Sequence, residues 1–144
     1  MIRRYGARPD PGRRYVLRPG VYAILPRDDA LLLTWQRVPE REFQLPGGGI
    51  DPGESALSAL HREVFEETGW RIAAPRRLGA FRRFTYMPEY DLWAEKLCTV
   101  FVARPVLRLD APSEPDHLAR WMPVAEAARR LGNPGDRAFV RRFL

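Results

Sequence analysis

A glycine turn feeding a helix, Gly48 to Trp70 (GGIDPGESALSALHREVFEETGW), constrains this chain more than any other stretch. Ser55 is a good N-cap type, Pro52 and Gly53 precede it, and Gly69 supplies the usual left-handed stop, so a helix is predicted between them. Leu57, Leu60 and Val64 form its apolar stripe, which is expected to face a sheet. Glu63, Glu66 and Glu67 then lie at the margin between core and solvent. Residues at i, i+3 and i+4 are neighbours on a helix, so these carboxylates repel one another unless something positive sits among them. Magnesium suits such a site, because it takes oxygen ligands, keeps several waters and is held by one or two carboxylates plus substrate phosphates. The pattern therefore points to phosphate chemistry.

The remaining segments predict what the helix packs against. Val21 to Leu25 and Ala30 to Trp35 are apolar runs separated by Pro26, Arg27, Asp28 and Asp29, which reads as a β-hairpin of two buried strands. A short extended piece, Phe43 to Leu45, leads into Pro46 and the glycines. Two longer β segments follow at Leu78 to Tyr86 and Ala94 to Val102, joined by a loop from Met87 to Trp93. The acidic, proline-bearing connection Asp110 to Asp116 precedes a final strand, Leu118 to Met122. A helix is expected from Val124 to Leu131, closed by Gly132, and another from Pro134 to Leu144, capped by Asn133 and burying Phe139, Val140, Phe143 and Leu144. Residues 1–14 are rich in Arg, Pro and Gly and read as an irregular lead-in. Strands and helices in this mixture predict an α/β or α+β sandwich with helices on both sides of a mixed sheet.

At 144 residues the chain fits one domain, 1–144. A hydrophobic content of 45% and a charged content of 29% are those of an ordinary globular protein. The net charge of +6 favours anionic partners but does not choose between nucleotides and nucleic acid. Nearly all the cationic residues are arginines, scattered along the chain, with Lys96 the only lysine. Cys98 stands alone in an apolar run, which excludes an internal disulfide, suits a reducing cytoplasm and reads as a buried inert thiol. No stretch has the apolar length of a membrane span, so a cytoplasmic protein without a membrane partner is expected, as monomer or homodimer.

The Gly48 to Trp70 run resembles the signature of the Nudix hydrolases. Gly48, Glu54, Arg62, Glu63, Val64, Glu66, Glu67, Gly69 and Trp70 all fall in its register, the tryptophan standing where an aliphatic residue is commoner. With each fixed identity at a frequency of roughly 5 to 7%, chance agreement at a given start is on the order of one in a billion. The resemblance implies an α/β/α sandwich with a central mixed sheet. It also implies an Mg²⁺-dependent pyrophosphohydrolase, with Mn²⁺ a possible substitute, acting on a nucleoside diphosphate derivative or at the 5′ end of RNA. A non-catalytic nucleotide- or RNA-binding module of the same shape is the rival reading, although the intact carboxylates argue against it.

By the same resemblance the metal ligands are Glu63, Glu66 and Glu67 with a carbonyl from Gly48 or its neighbour, and Glu54 and Arg62 are supports. The general base is either Glu63 or a loop glutamate, for which Glu114 is the candidate, with Asp116 and Glu95 weaker alternatives. Substrate selection lies outside the run. Trp35 and Tyr86 are candidates to stack a base and Arg37 to meet a phosphate, with Tyr22, Phe84, Trp93, Arg82 and Arg83 as further options.

Overall fold

The structure, a computed structural model, describes residues 2–38 and 41–144. Its strands are β1 (Arg3–Arg4), β2 (Val16–Ile24), β3 (Pro26–Arg27), β4 (Ala30–Gln36), β5 (Glu42–Gln44), β6 (Gly47–Gly49), β7 (Trp70–Met87), β8 (Leu92–Arg108) and β9 (His117–Pro123). The helices are α1 (Ala56–Thr68), α2 (Val124–Arg130) and α3 (Pro134–Phe143). One mixed sheet runs β1-β7-β8-β2-β6 and a second gathers β3, β5 and β9 around β4.

Alternation along β2 and β4 builds two cores on opposite faces of these sheets. Val21, Ala23, Leu25 and Leu32 pack with Ala59, Leu60 and Val64 of α1. Ile24, Leu31 and Leu33 point the other way, into a cluster with Phe81, Cys98 and Val100 that α2 and α3 close through Ala127, Ala128, Phe139 and Val140. Each fully buried Leu or Val contributes roughly 1.5–3 kcal/mol, so the strands are apolar on both faces because both are covered. The α/β/α sandwich is thus as expected, with its mixed sheet divided in two.

Helix α1 starts and stops where its local chemistry dictates. Ser55 accepts a hydrogen bond from the Ser58 N–H at 3.1 Å, and Gly69 closes the helix at φ 77°, with its N–H donated to the Phe65 carbonyl. A Cβ at Gly69 would lie 1.8 Å from the Asp110 carbonyl oxygen, so this glycine also lets the acidic loop approach the helix end.

Several expectations are corrected. The predicted hairpin is only a remnant: Pro26 and Arg27 pair with Leu31 and Ala30, while β2 leaves for the other sheet and runs parallel to β8. An apolar run buried on both faces says nothing about which neighbour it pairs with. Strands β7 and β8 are far longer than expected, continuing through Pro75 and Pro105 because bulges near Ala73 and Arg77 take up the irregularities. In the lead-in, Arg3 and Arg4 pair with Phe81 and Arg82, and Tyr5 packs edge-on against Phe81. Leu57 is 47% exposed on the outer side of α1, and Ala59 takes its place in the core. Leu144 ends α3 in solvent. Leu131, not Gly132, caps α2, while Gly132 donates its N–H to Phe43. Cys98 is buried as expected, and burial pushes its thiol up to about 12.

Candidate active site

Strand β6 lays the three glycines antiparallel to β2, opposite Gly20, Val21 and Tyr22, and α1 packs directly across them. The closeness is specific: a Cβ on Gly48 would sit 2.5 Å from the Glu63 carboxyl carbon. Gly47 donates its N–H to Glu67 Oε1 at 3.0 Å. The glycine turn therefore holds two of the helix carboxylates against its own backbone.

Arg62 ties the turn to the helix. Its Nε and Nη2 donate to Glu54 Oε2 and Oε1 at 2.7 and 2.9 Å, the bidentate fork that only arginine makes. Nη1 donates to Glu63 at 3.0 Å and to Glu66 at 3.2 Å, and Nη2 reaches the Gly49 carbonyl at 3.1 Å. This guanidinium holds Glu54 at about 2, well below the usual carboxylate range, with help from the Asp51 N–H. The positive charge demanded among the carboxylates is partly supplied here by the protein itself.

Glu63 and Glu67 border a cavity of about 610 Å³, together with Gly48, Glu114, His117 and Tyr86. Glu67 is only 6% exposed, and burial drives its carboxyl well up, opposed by the Gly47 N–H and reinforced by Glu63, Glu114 and Glu66. Burial likewise raises Glu63, against the pull of Arg62. Glu66 differs: its carboxylate turns to Arg62 and borders a shallow groove on the outer side of α1. Its backbone carbonyl accepts the N–H groups of Ser113 and Glu114 at 2.8 and 3.1 Å, which brings the acidic loop, and Glu114 with it, to the cavity.

Among the described residues no three His, Cys, Asp or Glu side chains are gathered into a finished metal cage. The donor set nonetheless fits a hard divalent cation: all-oxygen ligands, one of them almost wholly buried, mutually repelling and bordering a cavity. A cation beside Glu67 would offset the desolvation that now favours its neutral form.

Of the substrate candidates, Tyr86 borders the cavity and hydrogen-bonds Asp91 through its hydroxyl, which pushes its own titration up. Trp35 does not. The period of β4 turns Thr34 and Gln36 to the α1 side and Trp35 to the other, where its ring lies 4.7 Å from that of Phe43. Arg37 is also outside the cavity, its side chain largely exposed and 4.0 Å from Asp116.

Two residues the sequence did not single out complete the site. His117 Nδ1 lies 2.8 Å from the Thr34 hydroxyl and its Nε2 lies 3.6 Å from Glu67 Oε2, and burial lowers its pKa. Asp136 of α3, 4% exposed, borders the far end of the cavity; burial raises it to about 7 despite the Leu45 N–H and the charges of Arg83 and Lys96. Position immediately after the acidic loop was the only signal for His117, and Asp136 offered none beyond standing in the first turn of its helix.

The chain matches the family model described as NUDIX domain over residues 16–143. It is 35% identical over 74 residues to a putative 8-oxo-dGTP diphosphatase of Bacillus subtilis (strain 168), covering 51% of this chain and 50% of that protein. It is 42% identical over 67 residues to an RNA pyrophosphohydrolase of Halorhodospira halophila, covering 46% of this chain and 37% of that protein. These matches span half or less of the relatives' own length. Among solved structures, a NUDIX hydrolase from Nitrosomonas europaea superposes with a TM-score of 0.74 at 21% identity, over 89% of this chain and 88% of that one, which is a likeness of fold.

Proposed function

The chain belongs to the Nudix family, and from that premise we propose that it hydrolyses the diphosphate linkage of a nucleoside diphosphate derivative, water attacking phosphorus with magnesium bound at α1. The observation that carries this reading is the convergence of Glu63, Glu67 and Glu114 on one cavity, two of them held above the usual carboxylate range by burial. That volume lies within the range of small-molecule sites.

Glu67, Glu63 and the Gly48 carbonyl would hold the metal, and Glu66, held 3.2 Å from Arg62, is the further carboxylate of the helix available to it. The bound cation would neutralise phosphate charge and acidify a water. The protein's own part is positional. Gly47 fixes Glu67 by its N–H, and the Thr34 to His117 contact braces the opposite oxygen. Arg62 locks the turn onto α1, so that the carboxylates keep their places while phosphate enters. The attacking water loses its proton to Glu63 or to Glu114, the bond from phosphorus to its bridging oxygen breaks, and two phosphorylated products leave. Manganese, another oxygen-seeking divalent ion, is expected to substitute.

A panel of nucleoside triphosphates, nucleoside diphosphate sugars and dinucleoside polyphosphates, assayed for product release with Mg²⁺ and with EDTA, tests the proposal. Metal-dependent turnover of at least one member is the expected result. Measurable binding without turnover of any member would establish the non-catalytic module instead. The second enzyme reading, action at the 5′ end of RNA, is favoured by the basic and aromatic rim of the cavity, where the Arg18 guanidinium lies 4.6 Å from the Tyr90 ring centroid.

A further inference from the structure

Three cations lie side by side on the cavity wall, and the chemistry at α1 leaves them without a task. Arg18 of β2 aligns with Lys96 of β8, and Lys96 in turn with Arg83 of β7, so the three form one row across adjacent strands. Alternation puts them on one face, and all three border the cavity together with Gly20, Cys98 and Thr85 of the neighbouring rows. Strands stand about 5 Å apart, and like charges directly opposite one another destabilise a sheet. Lys96 is the only lysine in the chain, so a protein that uses arginine everywhere else places its one compact point charge at the centre of this row.

Among the described residues nothing neutralises the row. The rows on either side, Gly20, Cys98 and Phe81 toward the glycine turn and Val16, Ala94 and Thr85 toward the hairpin tip, carry no charge. Glu95 is turned to the other face, where it meets Arg82 at 3.4 Å. Asp136, Glu42 and Glu89 of other elements border the same cavity, yet none of them forms an ion pair with Arg18, Lys96 or Arg83. Arg83 and Lys96 do act on Asp136 at longer range, but one carboxyl does not balance three cations. The Arg18 guanidinium lies 4.6 Å from the Tyr90 ring centroid, a stacking contact that orients its plane and leaves its in-plane N–H groups for another partner.

We propose that the row of Arg18, Lys96 and Arg83 is a second anion site, which takes a phosphate monoester apart from the diphosphate placed at α1. A monoester brings a charge of about −1.5 to −2 and three strong acceptor oxygens at neutral pH. A carboxylate or a phosphodiester brings a single charge and two free oxygens, which leaves the row under-compensated. Gly20 and Val21 pair with Gly49 and Gly48, and Gly48 abuts Glu63, so the row stands two to three residues along β2 from the α1 carboxylates. At the rise of a strand that is ~7–10 Å. A second phosphate on the same nucleotide reaches that far, and a free inorganic phosphate bound beside the nucleotide presents the same chemistry. The inference rests on the functional reading above for the placing of the diphosphate, whereas binding at the row needs no hydrolysis.

Titration calorimetry with Mg²⁺ and α,β-methylene adenosine diphosphate, whose bridging carbon resists hydrolysis, reads binding apart from turnover. The analogue is compared with its 3′-phosphorylated form, with the 3′-methyl phosphodiester and with inorganic phosphate. The 3′-phosphate is expected to tighten binding about tenfold, with the gain fading as salt rises. That gain should vanish in Lys96→Gln and in Arg83→Gln and largely survive in Lys96→Arg. If the phosphate comes free instead, the 3′-phosphate adds nothing, and inorganic phosphate binds protein already saturated with the plain analogue and loses about tenfold in the same two variants. Neither signal, or a signal untouched by both glutamine variants, overturns the site. A methyl phosphodiester held as tightly as the monoester overturns the choice of anion. Because Lys96→Gln removes a repulsion, it should melt no lower than wild type in phosphate-free buffer; a lower Tm with unchanged binding makes the row structural and overturns the proposal. If nucleotides of the panel turn over and neither signal is found, the site fails while the functional reading stands. Either signal without turnover of any panel member has the reverse meaning.

Discussion

Replacing Asp136 by asparagine should stabilise the protein, and the gain should depend on pH in a defined way. The carboxyl is 4% exposed, its pKa is raised from 3.8 to about 7, and the leading cause is burial, with Glu42 adding to it and Arg83 and Lys96 opposing. Because the folded pKa lies above the unfolded one, the folded state favours the proton. The associated stability is complete below pH ~4, declines as pH rises, and is gone above pH ~7, where folding buries a charge. A difference of about 3 units at ~1.4 kcal/mol each sets a ceiling of roughly 4 kcal/mol. Asparagine keeps the shape and still offers an oxygen to the Leu45 N–H, 3.5 Å away. Urea unfolding of wild type and Asp136→Asn across pH 4.5 to 8.5 should show curves close together at the acid end and a variant advantage of roughly 2–4 kcal/mol at pH 8, or on the order of 10 °C in Tm. A difference that stays flat across this range, or a variant less stable at pH 8, would refute the argument that burial dominates at this carboxyl.

Three further outcomes follow from the geometry. Gly48→Ala places a Cβ within 2.5 Å of the Glu63 carboxyl and must displace it, so calorimetric Mn²⁺ affinity should fall about tenfold or more while circular dichroism is unchanged. Ser55→Ala removes the α1 cap and should cost ~1 kcal/mol in chemical denaturation, restored by Ser55→Asp. Leu60→Ala opens the core between α1 and the sheets and should cost roughly 2–5 kcal/mol, whereas Leu57→Ala, on the exposed side, should stay within about 0.5 kcal/mol.

The elements that were legible in the chain are those whose instructions are local. Helix α1 carries its start in Ser55, its end in Gly69 and its buried face in Leu60 and Val64, all within one short run. The same holds for α3, with Asn133 and Pro134 at its start. What the sequence hid is partnership across the chain. That β2 pairs with β8 rather than with β4 depends on residues 78 positions later, from Val16 opposite Ala94 to Ile24 opposite Val102, and an apolar run buried on both faces is compatible with either neighbour. His117 and Asp136 owe their roles to Thr34 and Leu45, which are 83 and 91 residues away. Trp35 shows the reverse: aromatic character suggested a stacking role, but the one-residue alternation of a strand turns it toward Phe43 and away from the cavity, where its neighbour Gln36 stands instead.

The central claim is that the carboxylates of α1 at this cavity perform metal-assisted hydrolysis, and turnover by Glu67→Gln tests it most directly. With whichever nucleotide of the panel wild type cleaves, the variant should fold with an unchanged far-ultraviolet spectrum and lose at least about a hundredfold in kcat at saturating Mg²⁺, because the most buried of the proposed ligand side chains then carries no charge. A folded Glu67→Gln protein that turns over at the wild-type rate would contradict the account.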